Sequence, residues 1–542
     1  MPNLHAITLC KCVVHCVIVP DVKFKQNGLG HKPMGTREPF ITLEDVTLRV
    51  GGKWLLPGTN WRISQGENWI VLGPNGVGKT TLANALMGQT AVVKGRIHRH
   101  YESSGQDRGH RIAVSMAGSE QYHRLYAREQ FNLDARHFSG KVDDQTLVAD
   151  LMGSLLNTRD NTCNNIINAL ELTSLLTKPV DALSSGEMRR FLLGKAMLEK
   201  PLLLILDEPF NGLDAAGRST LTGLFDSLAD TGTQMMLITH RLEEIPFCFK
   251  HVLHLNHGRV HWKGLLHDFS GSIVQPISST IPAVEQPGEF PFLGDNRLSE
   301  EDHPDPHILI RMNAVTVRYG EKVVLDGLDW TVRTGEHWAV CGPNGAGKTT
   351  LLKLINGDHP QAYANDIRLF GRKKGTGESI WDIKADIGYL SDEFQARYQK
   401  RMTGVDVICS GFFDSVGLYR RCTPAQLEIA HHWIETLALE AFADRPYRQL
   451  SFGRQRLILI ARAMVKSPRL LILDEPCNGL DDIHRQRLLN TIDVIGQHTR
   501  TSLITVCHKA GDMPKCITHR LQLSAGLPMS YVDRFNHSAE PP

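Results

Sequence analysis

Gly73-Pro74-Asn75-Gly76-Val77-Gly78-Lys79-Thr80 returns as Gly342-Pro343-Asn344-Gly345-Ala346-Gly347-Lys348-Thr349, so one local device is built into the chain twice. Both stretches fit the spacing G-x-x-x-x-G-K-[ST]. Each follows an apolar run, residues 68–72 and 337–341, that reads as a buried strand, and each leads into a helix starting at Lys79 or Lys348. A glycine-rich turn between strand and helix lets successive backbone N–H groups converge on phosphate oxygens, and the helix adds the positive end of its dipole. The residues placed to hold a nucleotide are Gly73, Asn75, Gly76, Gly78, Lys79, Thr80 and Thr81, and in the second copy Gly342, Asn344, Gly345, Gly347, Lys348, Thr349 and Thr350. Lys79 and Lys348 are spaced to reach β- and γ-phosphate oxygens, and the hydroxyls of Thr80 and Thr349 to hold Mg²⁺. A glycine-rich turn arising by chance explains one such loop. It does not explain two, each followed by a matching acidic strand.

Those strands are Leu202-Leu203-Leu204-Ile205-Leu206-Asp207-Glu208-Pro209 and Leu470-Leu471-Ile472-Leu473-Asp474-Glu475-Pro476. A continuous aliphatic run suits a strand buried on both faces of a parallel sheet, with its carboxylates emerging at the C-terminal end beside the phosphate loop. Asp207 and Asp474 read as Mg²⁺-shell carboxylates, and Glu208 and Glu475 as the groups that polarise an attacking water.

Upstream of each acidic strand lies Leu183-Ser184-Ser185-Gly186-Glu187 or Leu450-Ser451-Phe452-Gly453-Arg454-Gln455-Arg456. Downstream come Asn211-Gly212-Leu213-Asp214 and Asn478-Gly479-Leu480-Asp481, then Ile238-Thr239-His240 and Thr505-Val506-Cys507-His508. This ordered set closely resembles the ATP-binding-cassette (ABC) ATPases, with their LSGGQ signature, D-loop and switch histidine. The resemblance implies an α/β fold: two tandem P-loop domains, each with a RecA-like core sheet, an antiparallel β subdomain and a small helical subdomain. It implies that the two cassettes pair head to tail within the chain. One composite site then takes Lys79, Thr80, Asp207, Glu208 and His240 with Ser451 and Gly453, and the other Lys348, Thr349, Asp474, Glu475 and His508 with Ser184 and Gly186. A serine hydroxyl, a close glycine backbone and a helix N-terminus contact the γ-phosphate only when ATP fills the gap, so ATP drives closure and hydrolysis releases it.

Several residues depart from the family's pattern. Tyr319 stands where the family stacks an aromatic ring on adenine, and the matching first-half residue is Val50, so stacking is expected to be weaker there. Ser185 and Phe452 occupy the third signature position, where the family usually has glycine. The glutamine that ends the next family strand is absent from both Ile112-Ala113-Val114-Ser115-Met116-Ala117 and Ile387-Gly388-Tyr389-Leu390-Ser391-Asp392. Gln121 and Gln395 lie nearby at shifted spacing, and whether either substitutes is open.

The repeat divides the chain of 542 residues into an N-terminal extension over 1–38, cassettes over 39–269 and 308–525, a Pro-rich tether over 270–307 and a tail over 526–542. Cys10, Cys12 and Cys16, with His5 and His15, lack a well-spaced fourth ligand pair, so the extension reads as poorly ordered, or as sequence upstream of a start at Met34. A formal charge of +2 does not support nucleic acid as a bulk partner. No stretch reaches the roughly 20 apolar residues of a membrane span. A cytoplasmic protein is expected, placed by its partner at the inner face of the plasma membrane. Arg372-Lys373-Lys374 reads as a solvated hairpin.

Residues 357–384 and 410–419 are more individual and resemble the ModF group, twin-cassette proteins associated with molybdate transport. That resemblance implies ATP and Mg²⁺ as cofactors and a membrane permease for molybdate or another oxyanion as partner. Two other roles stand beside it: a stand-alone mechanochemical ATPase acting on nucleic acid or ribosomes, and a slow ATP-dependent regulator.

Overall fold

Runs such as Trp69-Ile70-Val71-Leu72 and Leu203-Leu204-Ile205-Leu206-Asp207 are buried at every position, which only a strand covered on both faces allows. In the computed structural model they lie in a parallel sheet. The model describes residues 38–50, 52–102, 113–118, 121–122, 124–125, 128–129, 145–157, 160–180, 183, 185–213, 215–242, 245–269, 307–320, 322–377, 379–396, 398, 402–507, 510–524 and 532–534.

In the first lobe the strands are β1 (Pro39–Val50), β2 (Lys53–Ser64), β3 (Trp69–Leu72), β4 (Val92–Arg99), β5 (Val114–Ala117), β6 (Leu203–Asp207), β7 (Gln234–Thr239), β8 (His251–Asn256) and β9 (Arg259–Leu265). The core sheet has the order β5-β6-β7-β3-β8-β9, parallel except for β9, and β2-β1-β4 form a separate antiparallel sheet. The second lobe repeats the plan with β10 (Ile308–Tyr319), β11 (Lys322–Arg333), β12 (His337–Cys341), β13 (Asp366–Leu369), β14 (Arg372–Lys373), β15 (Ile387–Leu390), β16 (Leu470–Asp474), β17 (Ser502–Val506), β18 (His519–Gln522) and β19 (Val532–Arg534). Its sheets run β15-β16-β17-β12-β18-β19 and β11-β10-β13-β14. The mixed α/β architecture expected from the sequence is therefore present twice.

Alternation along each buried strand feeds two cores. In β3, Trp69 and Val71 join the antiparallel sheet and the phosphate-loop helix Lys79–Leu86, while Ile70 and Leu72 face the helices on the opposite side. The second lobe divides in the same way, with Trp338 and Val340 on one side and Leu471 and Leu473 on the other. A pair of indoles ties the antiparallel sheet to the core sheet in each lobe. Trp61 meets Trp69 edge to face at 5.1 Å, and Trp330 meets Trp338 at 5.4 Å. Trp69 and Trp338 both donate their indole N–H at 3.1 Å, to Glu67 and Glu336.

The signature helices, Ser185–Leu198 and Phe452–Met464, pack among the helices on the Ile70 and Leu471 sides. The hairpin reading of residues 372–374 needs one correction. Arg372 and Lys373 are exposed, but Lys374 is 3% exposed with its ammonium 5.6 Å from the centre of the Tyr363 ring, a contact that favours burying the side chain. Among the described residues, no helix is long and apolar enough to cross a membrane.

The first loop glycines have no room for a side chain: a methyl on Gly73 would strike the backbone carbonyl of Leu255 in β8, and one on Gly342 that of Leu523, directly after β18. Gly342→Ala is expected to lower stability by about 1–3 kcal/mol, because backbone rather than a flexible side chain must give way. Gly223, inside the helix Ala215–Asp230 with nothing within 4 Å, is the contrasting case. There Gly→Ala is expected to add about 0.5–1 kcal/mol. Urea unfolding of both variants checks the opposite signs.

Candidate functional site

Both phosphate loops leave the C-terminal end of a central strand and curl so that their own carbonyls surround the lysine. Lys79 Nζ donates to Gly73 O at 2.7 Å and Pro74 O at 3.2 Å, and Lys348 Nζ donates to Gly342 O and Pro343 O, each at 2.9 Å. Both lysines are buried. Burial pushes the Lys79 ammonium below its usual range, against the opposing pull of Glu208, Asp207 and Asp481. A caged, partly desolvated ammonium is suited to exchanging carbonyl partners for phosphate oxygens. Thr80 and Thr81 lie in the first turn of one loop helix, and Thr349 and Thr350 in that of the other. Thr80 Oγ1 donates to Asp207 Oδ2 at 2.7 Å, a hydroxyl and a carboxylate side by side, the hard-oxygen set that Mg²⁺ prefers. Asp474 ends β16 as Asp207 ends β6.

One residue on, Glu208 and Glu475 both adopt left-handed backbone, with φ of 52° and 49°. For a side chain with a Cβ this costs about 1–2 kcal/mol. The Glu208 N–H is held by Ile238 O at 2.9 Å. Glu208 Oε1 lies 3.9 Å from Lys79 Nζ and 2.8 Å from His240 Nδ1. Arg241 Nε donates to His240 Nε2 at 3.1 Å, so that nitrogen accepts and the ring's proton sits on Nδ1, aimed at Glu208. His508, the matching residue, lies outside the described residues, as do Ser184 and Asp214.

The two halves meet at these sites. The Asn75 N–H donates to Asp481 Oδ2 at 2.8 Å, and Asn75 Nδ2 donates to Gly479 O at 2.8 Å. Asn344 Nδ2 donates to Gly212 O at 3.2 Å on the other side. A Cβ placed on Gly76 would stand 3.8 Å from Ser451 Cβ, and Ser451 Oγ is buried with no hydrogen-bond partner among the described residues. An orphaned hydroxyl beside a glycine loop fits a phosphate oxygen. Gly186 is exposed near the start of its helix. Gly453 is buried, and a methyl there would run into the His484 ring, so this glycine makes room for His484. Burial would raise the Asp481 carboxyl, but hydrogen bonds from His484 and the Asn75 backbone outweigh it and hold it down to about 2.

Tyr319 is 53% exposed, and its hydroxyl is 2.7 Å from His359 Nε2. His359 Nδ1 accepts from the Gln361 N–H at 3.2 Å, so His359 donates to Tyr319 through Nε2, fixing the phenol and leaving a face open. Val50 ends β1 where Tyr319 ends β10. The two glutamines considered as substitutes differ. Gln395 Nε2 donates to Gln455 of its own signature helix at 2.9 Å. Gln121 lies beside Gly118, where a Cβ would stand 2.7 Å from Asp207 Cβ, and its Oε1 is buried without a partner among the described residues. The sequence did not single out Arg189, Arg241, His359 or Asp481 individually. For Arg189 a signal existed: Arg456 occupies the same place in the second copy. Among the described residues no group of three or more His, Cys, Asp or Glu could hold a metal ion by itself, and the N-terminal Cys and His residues lie outside them.

Comparison with known proteins identifies the family. The model of the ABC transporter family matches residues 56–211 and again 325–478. The ABC transporter ATP-binding protein ModF of Escherichia coli is 37% identical over 489 residues, covering 88% of this chain and 95% of that protein. An uncharacterized ABC transporter ATP-binding protein of Schizosaccharomyces pombe is 28% identical over 496 residues, covering 90% and 98%. Among solved structures, an archaeal ribosome recycling factor, in complex with a ribosomal stalk protein, superposes with a TM-score of 0.50 at 19% identity, over 90% of this chain and 89% of that one; the likeness is one of fold. Two family matches, each spanning a phosphate loop and an acidic strand, place this chain in the ABC transporter family as an ATPase with two cassettes in tandem.

Proposed function

We propose that the chain hydrolyses ATP at two composite sites, each made from the phosphate loop of one cassette and the signature of the other. The observation that carries this reading is the orphaned Ser451 hydroxyl beside Gly76, backed by the Asn75–Asp481 and Asn344–Gly212 bonds between the halves. ATP lies along residues 73–81 with its γ-phosphate toward Ser451 and Gly453, and along residues 342–350 toward Ser184 and Gly186. Lys79 and Lys348 exchange loop carbonyls for phosphate oxygens. Thr80 with Asp207, and Thr349 with Asp474, would hold Mg²⁺, which would supply charge neutralisation at the phosphates. Glu208 and Glu475 each accept a proton as water oxygen bonds to the γ-phosphorus and the bond to the bridging oxygen breaks. His240 keeps the Glu208 carboxylate aimed by donating from Nδ1, and His508 serves Glu475.

For the finer role we propose the one implied by the sequence resemblance to the ModF group, the ATP-binding component associated with molybdate or other oxyanion transport, docked on a membrane permease at the cytoplasmic face; the 37% identity to an ABC transporter ATP-binding protein of that name supports it. A Glu208→Gln, Glu475→Gln protein, loaded with ATP and used as bait, tests it. Recovery of a permease supports this role. Recovery of ribosomes or DNA transfers the ATPase to the mechanochemical reading.

The same double variant is expected to bind ATP with little change while turnover falls by roughly 10²-fold or more, as loss of a general base predicts. Wild-type turnover would refute the assigned bases. Ser451→Arg is expected to abolish nucleotide trapping at the Lys79 site and spare the Lys348 site, which site-resolved photolabelling reads directly. If Tyr319 stacks on adenine, Lys348→Ala weakens total nucleotide binding more than Lys79→Ala does. Equal affinities by titration calorimetry would remove that asymmetry.

A further inference from the structure

Arg189 and Arg456 hold the same place in the two signature helices, and both guanidinium groups end on one carboxylate, Asp392 of the second lobe. Asp392 stands just past β15, where the family has its glutamine. Strand register matches Val114, not Ile112, to Ile387 through their partners Leu203 and Leu470, which corrects the alignment read from the sequence by two residues and moves the matching place from Ala117 to Ser119, outside the described residues. A carboxylate here is thus a feature of one half.

Its contacts form a chain between the lobes. Arg189 Nη2 donates to Asp392 Oδ2 at 3.0 Å, while Arg189 Nη1 donates to Asn211 O at 3.0 Å in its own lobe. Asn478 Nδ2 donates to the same Asp392 Oδ2 at 2.9 Å and lies 3.5 Å from Glu475 Oε2. Gly212 closes the gap, since a Cβ on it would be 3.0 Å from Arg189 Nη1, 3.5 Å from Asn478 Nδ2 and 3.8 Å from Glu475 Oε2. Arg456 is fully buried, and its Nε and Nη1 have no hydrogen-bond partner among the described residues, so it depends on Asp392 for its countercharge.

We propose that Asp392 is a positioning residue for the Lys348 site: an inter-lobe latch through which Arg189 orients Asn478 and, through it, Glu475. The inference rests on the composite-site reading and names how one of those sites senses the opposite lobe. The energetics suit a reversible contact. When Arg189 withdraws, Asp392 keeps Arg456 and Asn478, so parting breaks one partly buried charge-assisted bond and strands no charge. Removing Asp392 instead leaves Arg456 buried and unpaired, which damages the fold. Arg189 is therefore the informative position.

The test uses the full chain. Arg189→Met is expected to lower kcat roughly three- to tenfold, the size of one such bond, with a smaller change in the ATP KM, because the displaced group is the base at Glu475. In nucleotide-free protein the same variant should speed hydrogen exchange in the peptide spanning residues 475–481, and Arg189→Lys should restore part of both effects. In a double-variant cycle, Arg189→Met added to Asp392→Asn should cost no more than Asp392→Asn alone. Unchanged kcat and exchange in Arg189→Met, or additive losses in the cycle, overturn the latch. The composite-site reading fails separately: it falls if Ser451→Arg leaves trapping at Lys79 intact, whatever Arg189→Met does.

Discussion

Burial of parallel strands on both faces is the constraint on which the molecule depends. A strand such as β6 has no exposed edge or face along which to place a charge, so Asp207 and Glu208 occur where the strand ends. β3 ends at the same edge of the sheet, beside β7, and its loop turns there. The phosphate loop, the acidic pair and His240 meet because three apolar strands of the sheet stop together. The two cores, one on each face, fix the strands in register and leave the loops to carry chemistry.

Within that frame the structure places strain and unmet hydrogen-bonding capacity at the loops. Glu208 and Glu475 both sit in left-handed backbone, and the duplication of the outlier argues for a requirement of position. Lys79 and Lys348 bond to carbonyls of their own loops. Ser451 has a buried hydroxyl with no partner among the described residues. The left-handed glutamates and the orphaned serine are each held at a cost in stability, the pattern expected at functional sites.

The halves share a plan and differ at their sites. Tyr319, braced by His359, has Val50 as its counterpart. Asp392, with arginines from both lobes, has Ser119. Tyr319 and Val50 end their strands and Asp392 stands just past β15, so these differences leave the order of the two core sheets the same. Two equal folds can thus support two unequal sites.

The repeat, the two loops and the acidic strand ends were legible in the linear chain, because each is a local pattern whose spacing carries its own physical reason. The buried strands were legible for the same reason, as unbroken apolar runs. What the order of residues could not state is which side chains from distant segments share a partner: that Asn75 meets Asp481, that Gly453 yields space to His484, that Arg189 and Arg456 converge on Asp392, that Lys374 is buried against Tyr363. Those contacts join residues far apart in the chain, where no periodicity links them, and only the packing of one lobe's loops against its own helices and against the other lobe decides them.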